Sequence, residues 1–249
     1  MKGVAVRNPS EIARLRLASR IVGEILSALE PIMVPGISTG KISLFCEKHL
    51  RRLSAQSASS LLGFPGTVCT SVNAVAVHGI PGDRILQAGD IVTVDLSLEI
   101  GGWFGDGAVT FGIGKVSPEV GRLLRVAKKA TIAGITATRP GIDSLEIGRA
   151  VERYVDAMGM SVIADCLGHG IGRSLHEPPV IPFCSYKGKG FRLEEGMVFT
   201  IEPVVTLAAS GLVEAGDGWS KLTSTGLPAA QWEHTVLVTQ SGCEVLTVG

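Results

Sequence analysis

The sequence has few of the features that mark extracellular, membrane or nucleic-acid-binding proteins. Its five cysteines are odd in number, scattered and without a C-x-x-C pair, which argues against a disulfide framework or a structural zinc knuckle. It has no run of about 18 uncharged apolar residues, and its N-terminal segment lacks the apolar core of a signal peptide. Lys plus Arg and Asp plus Glu both total 23, and no long basic run is present. We therefore expect a cytoplasmic protein without a membrane or a specific nucleic-acid partner.

The apolar residues, 45% of the chain, are numerous enough for a substantial core, and many follow helical spacing. Asn8 and Glu11 give a helix-start signal, and apolar residues at three- and four-residue steps then predict a helix as far as Leu29. After the turn "VPGIS" (34–38), a second apolar run at Ile42–Leu53 predicts another helix. The first part of the chain is therefore predicted to form a helix pair.

The same plan returns about 105 residues later, where "RPGID" (139–143) corresponds to "VPGIS". A helical run from Val120 stops at this turn, and Leu145–Met158 marks another amphipathic helix. The sequence thus predicts two half-repeats, roughly 8–115 and 116–249. The alternative is that the two halves share turn chemistry by chance.

An apolar strand that ends in an acid follows each helix pair. Aligning "LQAGDIVTVDLSL" with "LEEGMVFTIEPVV" pairs Asp95 with Glu202, and the next strands, "GWFGDGAVTF" and "AAQWEHTVLV", carry Asp106 and Glu233. The period of two places Asp95 on the strand face opposite the apolar residues. These elements predict an α+β fold in which two halves face each other about an approximate two-fold axis. Under the alternative reading, the acids are simply exposed to solvent.

Four acids that converge on one cleft would repel one another and take up protons unless cations held them. The corresponding strand positions carry no matching lysine or arginine, so a divalent metal such as Mn²⁺, Fe²⁺, Co²⁺ or Zn²⁺ is the natural compensation. Two ions bridged by carboxylates would activate water near neutral pH, which predicts a hydrolase. The loop "LGHGIGRSLHEPP" adds His169 and His176, although ordinary loop histidines are the alternative.

Several motifs together resemble those of methionine aminopeptidases over nearly the whole chain: "AVHGIPG", "VDLSL" with "GDGAVTF", "GHGIGRSLHEPP", "FTIEPVV" and "QWEHTVLVT". Glu202 and Glu233 lie 31 residues apart, which is similar to the short bacterial type I form. The resemblance implies a pita-bread fold, a pseudo-two-fold repeat of helix pairs packed on a curved antiparallel sheet. It also implies a single catalytic domain over residues 1–249.

The resemblance further implies the roles of particular residues. The implied metal ligands are Asp95, Asp106, His169, Glu202 and Glu233. Two of these, Asp106 and Glu233, would bridge two divalent ions, which could be Co, Mn, Fe, Zn or Ni. The resemblance also makes Glu202 the proton shuttle and gives His78 and His176 catalytic and substrate-contacting roles.

The implied pocket for a methionine side chain is formed by Phe64, Cys69 and Trp219, with Leu61 beside them. Leu61 and Leu175 stand where family members often carry aromatic residues, so the pocket wall is expected to be more adaptable in shape than is usual in the family.

The implied function is removal of the N-terminal methionine from nascent polypeptides with a small second residue. We expect a monomer, and the sequence leaves ribosome contact open. The alternatives are a related pita-bread aminopeptidase or dipeptidase of other specificity and a non-catalytic pita-bread module that binds peptides.

Overall fold

The computed structural model describes residues 3–248, so Met1, Lys2 and Gly249 of the expected domain lie outside the described residues. The helices are α1 (Pro9–Leu29), α2 (Thr39–Arg52), α3 (Ala58–Leu61), α4 (Pro118–Ala137) and α5 (Leu145–Ala157). The strands of the first half are β1 (Gln56–Ser57), β2 (Cys69–Val72), β3 (Val75–Val77), β4 (Ile91–Ile100) and β5 (Trp103–Gly112). Those of the second half are β6 (Ser161–Val162), β7 (Gly168–Gly170), β8 (Glu177–Ile181), β9 (Val198–Ile201), β10 (Val204–Thr206), β11 (Leu212–Glu214), β12 (Lys221–Thr223), β13 (Ala229–Val238) and β14 (Cys243–Val245).

The four long helices begin close to where the sequence predicts them. The side chain of Asn8 accepts hydrogen bonds from the amides of Ser10 and Glu11, and the Glu11 carboxylate accepts one from the amide of Asn8. This reciprocal capping box satisfies amides that the first helical turn leaves without partners. Ser38 and Ser117 cap α2 and α4 through their hydroxyl groups. The two predicted helix pairs are therefore confirmed as α1 with α2 and α4 with α5.

Within residues 3–248, eleven strands form one sheet with the central order β1-β4-β5-β13-β9-β7-β8. All of its strand pairs are antiparallel. A separate three-stranded sheet has the order β11-β12-β3. The large sheet joins the two halves where β5 pairs with β13, with Ala108 opposite Glu233.

The helices cover one face of the large sheet. Val92, Val94, Leu96 and Leu98 of β4 are all fully buried in a cluster with α1 and α2, as their alternation predicts. A second cluster packs α4 and α5 against residues such as Ile201 of β9. The residues that alternate with these apolar positions lie on the opposite face, so the acids of β4, β5 and β13 share that face.

The segment 167–179 is non-helical, as its glycines and prolines predict, but the structure adds detail that the pattern does not give. Its ends form β7 and β8, which pair with each other, and β7 also pairs with β9. The glycine at position 168 is required because a Cβ there would meet the carbonyl oxygen of Thr200 at 2.5 Å. Among residues 3–248, no helix has the length and apolar character needed to cross a bilayer.

Candidate metal centre and active site

Strand register brings three of the predicted acids together. Asp95 of β4 pairs with Ala108 of β5, and Ala108 pairs in turn with Glu233 of β13. Directly paired residues share a sheet face, so Asp95 and Glu233 flank a side chain that is only a methyl group. Asp106 lies two residues before Ala108 on the same strand and therefore on the same face.

Glu202 and His169 enter the site from the other side of β13. Glu202 directly follows the end of β9, and its Oε1 accepts a 2.6 Å hydrogen bond from the hydroxyl of Thr200. Its Oε2 accepts a 3.3 Å hydrogen bond from the side-chain amide, Nε2, of Gln231. The backbone amide of His169 donates to the same Thr200 hydroxyl at 2.9 Å. Thr200 thus links the strand that leads to Glu202 with the strand that carries His169.

The side chains of Asp106, His169 and Glu233 form a cluster that could hold a metal ion. Each offers one ligand atom, and these atoms lie within 4.8 Å of one another. Nε2 of His169 is 3.6 Å from Oδ2 of Asp106 and 3.5 Å from Oε1 of Glu202. Oδ1 of Asp106 and Oε1 of Glu233 are buried and have no hydrogen-bond partner among residues 3–248. Because buried polar atoms are normally satisfied, these two oxygens fit a divalent cation, for which carboxylate and imidazole are suitable ligands.

The electrostatics of the carboxyl groups lead to the same need for a cation. Burial raises the pKa of Asp95 to about 6. Burial, opposed by the Thr200 hydrogen bond and reinforced by Asp95, raises the pKa of Glu202 to about 8. Burial and then repulsion from neighbouring carboxylates raise the pKa values of Asp106 and Glu233 well above their usual range. A cation in the site would remove this penalty on the ionised forms.

The chain itself provides little positive charge at this place. Among the described residues that line the cavity around the acids, Lys221 is the one that carries a permanent positive charge. Its Nζ lies 2.6 Å from Oε1 of Glu214 and is therefore already paired. Burial also lowers the pKa of His169 to about 4, which keeps the imidazole neutral. The acids therefore depend on an external cation for compensation.

The orientation of His169 suits metal binding. Its Nδ1 lies 3.1 Å from the carbonyl oxygen of Gly170, to which an Nδ1–H can donate. That tautomer leaves the Nε2 lone pair directed toward Asp106 and Glu202. The rings of His169 and His176 meet edge to face, with centroids 4.4 Å apart. The two histidines of the loop thus lie together in the site.

His176 and His78 line the cavity without belonging to the metal-binding cluster. Burial lowers the pKa of His176. Burial also lowers the pKa of His78, and electrostatic repulsion from Lys221 and His176 adds to that effect. His78 has a left-handed backbone with φ of 57°, uncommon for a residue other than glycine, and its carbonyl oxygen accepts a hydrogen bond from Ser220. Both imidazoles are therefore neutral donors or acceptors at neutral pH.

The cavity has a volume of about 790 Å³ and combines the acids and histidines with an apolar wall. Phe64 and Trp219 meet edge to face with ring centroids 5.3 Å apart, and Cys69 and Leu175 also line the wall. Burial, with repulsion from the acids, raises the pKa of the Cys69 thiol well above its usual value, so it remains an uncharged lining group.

The structure does not place Leu61 in this lining, which corrects the expectation that it borders the pocket. The Leu61 side chain is 54% exposed and lies in a separate surface depression with Glu47 and Arg51. Leu62, the next residue, lines the cavity instead. Leu61 ends the short helix α3, and successive residues of a helix point about 100° apart, so a shift of one position changes the face.

Sequence reasoning also missed residues that support the site. Thr200 had a signal, because the half-repeats pair it with Thr93 on the acid-bearing face. Gln231 also had one, since it lies two residues before Glu233 on the same strand and therefore shares its face. Other lining residues, Val180 and Val213 among them, come from loops and edge strands for which no periodic signal exists.

A cluster of buried acids and a histidine beside a substrate-sized cavity defines a candidate metallohydrolase. Comparison with known proteins narrows this class. The family model described as "Metallopeptidase family M24" matches residues 13–240, so the chain belongs to that family.

Individual relatives are similar over nearly the full chain. Methionine aminopeptidase A of Synechocystis sp. is 41% identical over 96% of this chain and 95% of its own length. Methionine aminopeptidase of Escherichia coli is 36% identical over 98% of this chain and 94% of its own. The crystal structure of methionine aminopeptidase from Thermotoga maritima is 33% identical, with a TM-score of 0.96, and the match covers 99% of this chain and all of that one. The resemblance to methionine aminopeptidases and the α+β pita-bread fold are thereby confirmed.

Proposed function

We propose that the protein is a metal-dependent aminopeptidase that removes the N-terminal methionine from nascent polypeptides and peptides with a small second residue. The observation that carries this proposal is the cluster of Asp106, His169 and Glu233 beside the apolar wall of Phe64 and Trp219. The relatives that are named methionine aminopeptidases, at 36–41% identity over nearly the full length, support the same function.

The proposed metal ligands are the three residues of the cluster together with Asp95 and Glu202. Asp106 and Glu233 are proposed to bridge two divalent ions, and each has a buried oxygen that lacks a partner among the described residues and is available as a ligand. Co, Mn, Fe, Zn and Ni are all compatible with this carboxylate and imidazole set. When bound, divalent metal supplies a Lewis acid for the scissile carbonyl and lowers the pKa of water in the site.

Glu202 is proposed to accept a proton from the attacking water and return it to the leaving amine. Thr200 and Gln231 hold its two carboxylate oxygens by hydrogen bonds of 2.6 and 3.3 Å, which fixes the direction of both. Bound metal would lower the pKa of Glu202 from its metal-free value of about 8, so the ionised carboxylate would be available to accept the proton.

His176 and His78 are proposed to donate hydrogen bonds to the carbonyl oxygen as negative charge develops on it. Their lowered pKa values keep both imidazoles neutral, and a neutral imidazole still has one N–H to donate. Such a donor acts most strongly on the developing oxyanion and therefore contributes to kcat.

Phe64, Cys69 and Trp219 are proposed to select the first side chain. An aromatic edge and an uncharged thiol give an apolar wall, which an unbranched and polarizable thioether can fill. His78 also lines the cavity, and we propose that it crowds the position of the second residue and so favours small side chains there.

We further propose that residues 3–248 belong to one catalytic domain built from two half-repeats, 8–115 and 116–249. The β5–β13 pair that joins the halves in a single sheet supports this. The protein is proposed to act in the cytoplasm as a monomer on nascent chains.

A comparison of substrates tests the proposal against its rivals. Release of the first residue should be measured for Met-Ala-Ser and for peptides of the Xaa-Pro type at the same metal concentration. We expect hydrolysis of Met-Ala-Ser and little of Xaa-Pro. The reverse preference would assign a dipeptidase or aminopeptidase of other specificity. Binding of Met-Ala-Ser without any hydrolysis would assign a peptide-binding module.

A further inference from the structure

Val6 and Arg7, just before α1, are held close to the strand that leads to the active site. Val6 forms a β-bridge with Met197, and the amide of Arg7 donates to the carbonyl oxygen of Gly196 at 2.9 Å. The side chain of Arg7 is only 9% exposed, which is unusual for arginine. Its side-chain hydrogen bonds go to Ile171, in the loop that connects His169 with His176, and to Glu177 directly after that loop.

One carboxylate connects Arg7 to that loop. Glu177, which directly follows His176, forms an ion pair with the Arg7 guanidinium through Oε2. Its other oxygen, Oε1, accepts hydrogen bonds from the amides of Arg173 and Ser174 at 2.7 and 2.9 Å. Glu177 therefore ties the turn before His176 to a buried cation from the opposite end of the chain.

The backbone of the loop leaves room for this arginine. Nη2 of Arg7 also donates to the carbonyl oxygen of Ile171 at 3.4 Å. A methyl group at Gly172 would overlap the Arg7 guanidinium, so glycine lets the loop pass this close while the guanidinium stays in its place. The carbonyl oxygen of Gly172 is itself held by the amide of Phe104 at 3.0 Å.

A buried tryptophan completes the surroundings. The guanidinium carbons of Arg7 and Arg173 lie 5.8 and 4.2 Å from the ring centroid of Trp103, which is 4% exposed. Both cations can interact with the π-system, and the indole keeps water from Arg7. A charge pair with so little access to water is costly to break from one side, because the remaining charge is left without compensation.

We propose that Arg7 is a positioning residue for His176 and acts through Glu177. Without Arg7, the Glu177 carboxylate, whose side chain is only 17% exposed, loses its ion-pair partner, and we expect the turn that it holds to shift together with the adjacent His176. The proposed metal ligands His169 and Glu202 are held by separate hydrogen bonds with Thr200 and Gln231, so metal binding should remain. The inference rests on the proposed catalytic role of His176.

A double-mutant cycle tests the coupling. Arg7→Met is introduced into the wild-type chain and into His176→Ala. For each protein, kcat and KM for Met-Ala-Ser are measured, and the amount of bound metal is determined separately. We expect Arg7→Met to lower kcat about 10-fold or more in the wild-type background, since small misplacements of a catalytic group are this costly. In His176→Ala the further loss should be under about 2-fold, because the group that Arg7 positions is already gone.

Matched variants separate positioning from general stability. Arg16→Met removes an exposed α1 ion pair with Glu244 and should leave kcat unchanged. Arg7→Lys keeps the charge and should recover part of the lost kcat. If circular dichroism shows that Arg7→Met does not fold, Arg7→Gln, which keeps a donor, enters the same cycle.

The possible outcomes distinguish this inference from the proposed function. An unchanged kcat in Arg7→Met, equal losses in both backgrounds, or a loss of metal that accounts for the loss of turnover would overturn the positioning role. Failure of the wild-type, metal-loaded protein to hydrolyse Met-Ala-Ser would instead overturn the proposed function.

Discussion

Nε2 of His169 lies 3.6 Å from Oδ2 of Asp106, although the two residues belong to different halves of the chain. Asp106 stands on β5 of the first half, and His169 stands on β7 of the second. The candidate metal centre therefore forms only when the two halves share one sheet. Metal binding should consequently stabilise the packing of the halves, because a ligand that binds only the folded state shifts the folding equilibrium.

Asp106→Asn and Glu233→Gln should each lower activity but keep or raise the stability of the metal-free protein. Each removes a proposed bridging charge, so metal content should fall and activity should drop at least about 100-fold. Each also removes repulsion among buried acids, so the metal-free variant should melt at or above the wild-type temperature at pH 8. Metal analysis, turnover of Met-Ala-Ser and thermal melting check these outcomes. Glu244→Gln, at an acid of β14 outside the cavity, is the control. Wild-type metal content and turnover in either variant would contradict the bridging role.

His169→Ala and His176→Ala should separate metal binding from the reaction that follows it. His169 directs Nε2 toward Asp106 and Glu202, so its loss should reduce metal affinity. His176 lies outside the metal-binding cluster, so its loss should leave metal content near normal and lower mainly kcat, by about 100-fold or more. Metal titration and steady-state kinetics distinguish the two variants. Equal metal loss in both would argue against separate roles.

The metal-free protein should lose stability as pH rises from 7 to 8.5. The folded pKa of Glu202, about 8, exceeds its unfolded value of about 4.3, so the folded state binds more protons in this range. The resulting stability is present at low pH and is lost as pH rises through the folded pKa. Each kcal/mol lost should lower Tm by about 2–4 °C in a chain of this size. Bound metal should reduce this slope, so the loaded protein serves as the control for other titrating groups. A metal-free Tm that is flat or rises over this window would contradict the raised pKa values.

Phe64→Ala and Leu61→Ala should differ in their effect on selectivity. Phe64 lines the cavity wall, so its truncation should lower kcat/KM for Met-Ala-Ser by about 10- to 200-fold. Leu61 is 54% exposed outside the cavity, so its truncation should change kcat/KM by less than about 2-fold. In the wild type, kcat/KM should remain high when norleucine replaces methionine at the first position. It should be low for valine and only marginal for leucine at that position. Equal kcat/KM for methionine, valine and lysine at the first position would rule out a methionine pocket.

The sequence alone predicted most of the fold, because local signals determine its main elements. Asn8 with Glu11 marks the start of α1, and the alternation in β4 separates its core face from the face of Asp95. The half-repeat also predicted that Asp95, Asp106, Glu202 and Glu233 converge on one cleft, independently of the family resemblance. These predictions succeeded because capping and periodicity act over a few residues.

Other parts of the site depend on contacts that no local pattern encodes. The sequence did not assign different roles to His169 and His176 until the family resemblance was considered, because both lie in one irregular loop. Leu61 was expected beside the pocket, but the orientation of the short helix α3 places Leu62 there. The pairing of Arg7 with Glu177 joins distant positions through tertiary packing, so neither residue stands out in the sequence.

Hydrolysis of Met-Ala-Ser by the full chain, before and after chelation and with metals added back singly, tests the central claim most directly. Among the described residues that line the site, Lys221 is paired with Glu214 and does not compensate the carboxyl groups, so activity should disappear on chelation and return with at least one of Co, Mn, Fe, Zn or Ni. Restored activity should be accompanied by a higher Tm, since the metal binds the folded state. Hydrolysis that continues unchanged in the fully chelated protein, or no hydrolysis with any of these metals, would contradict the account.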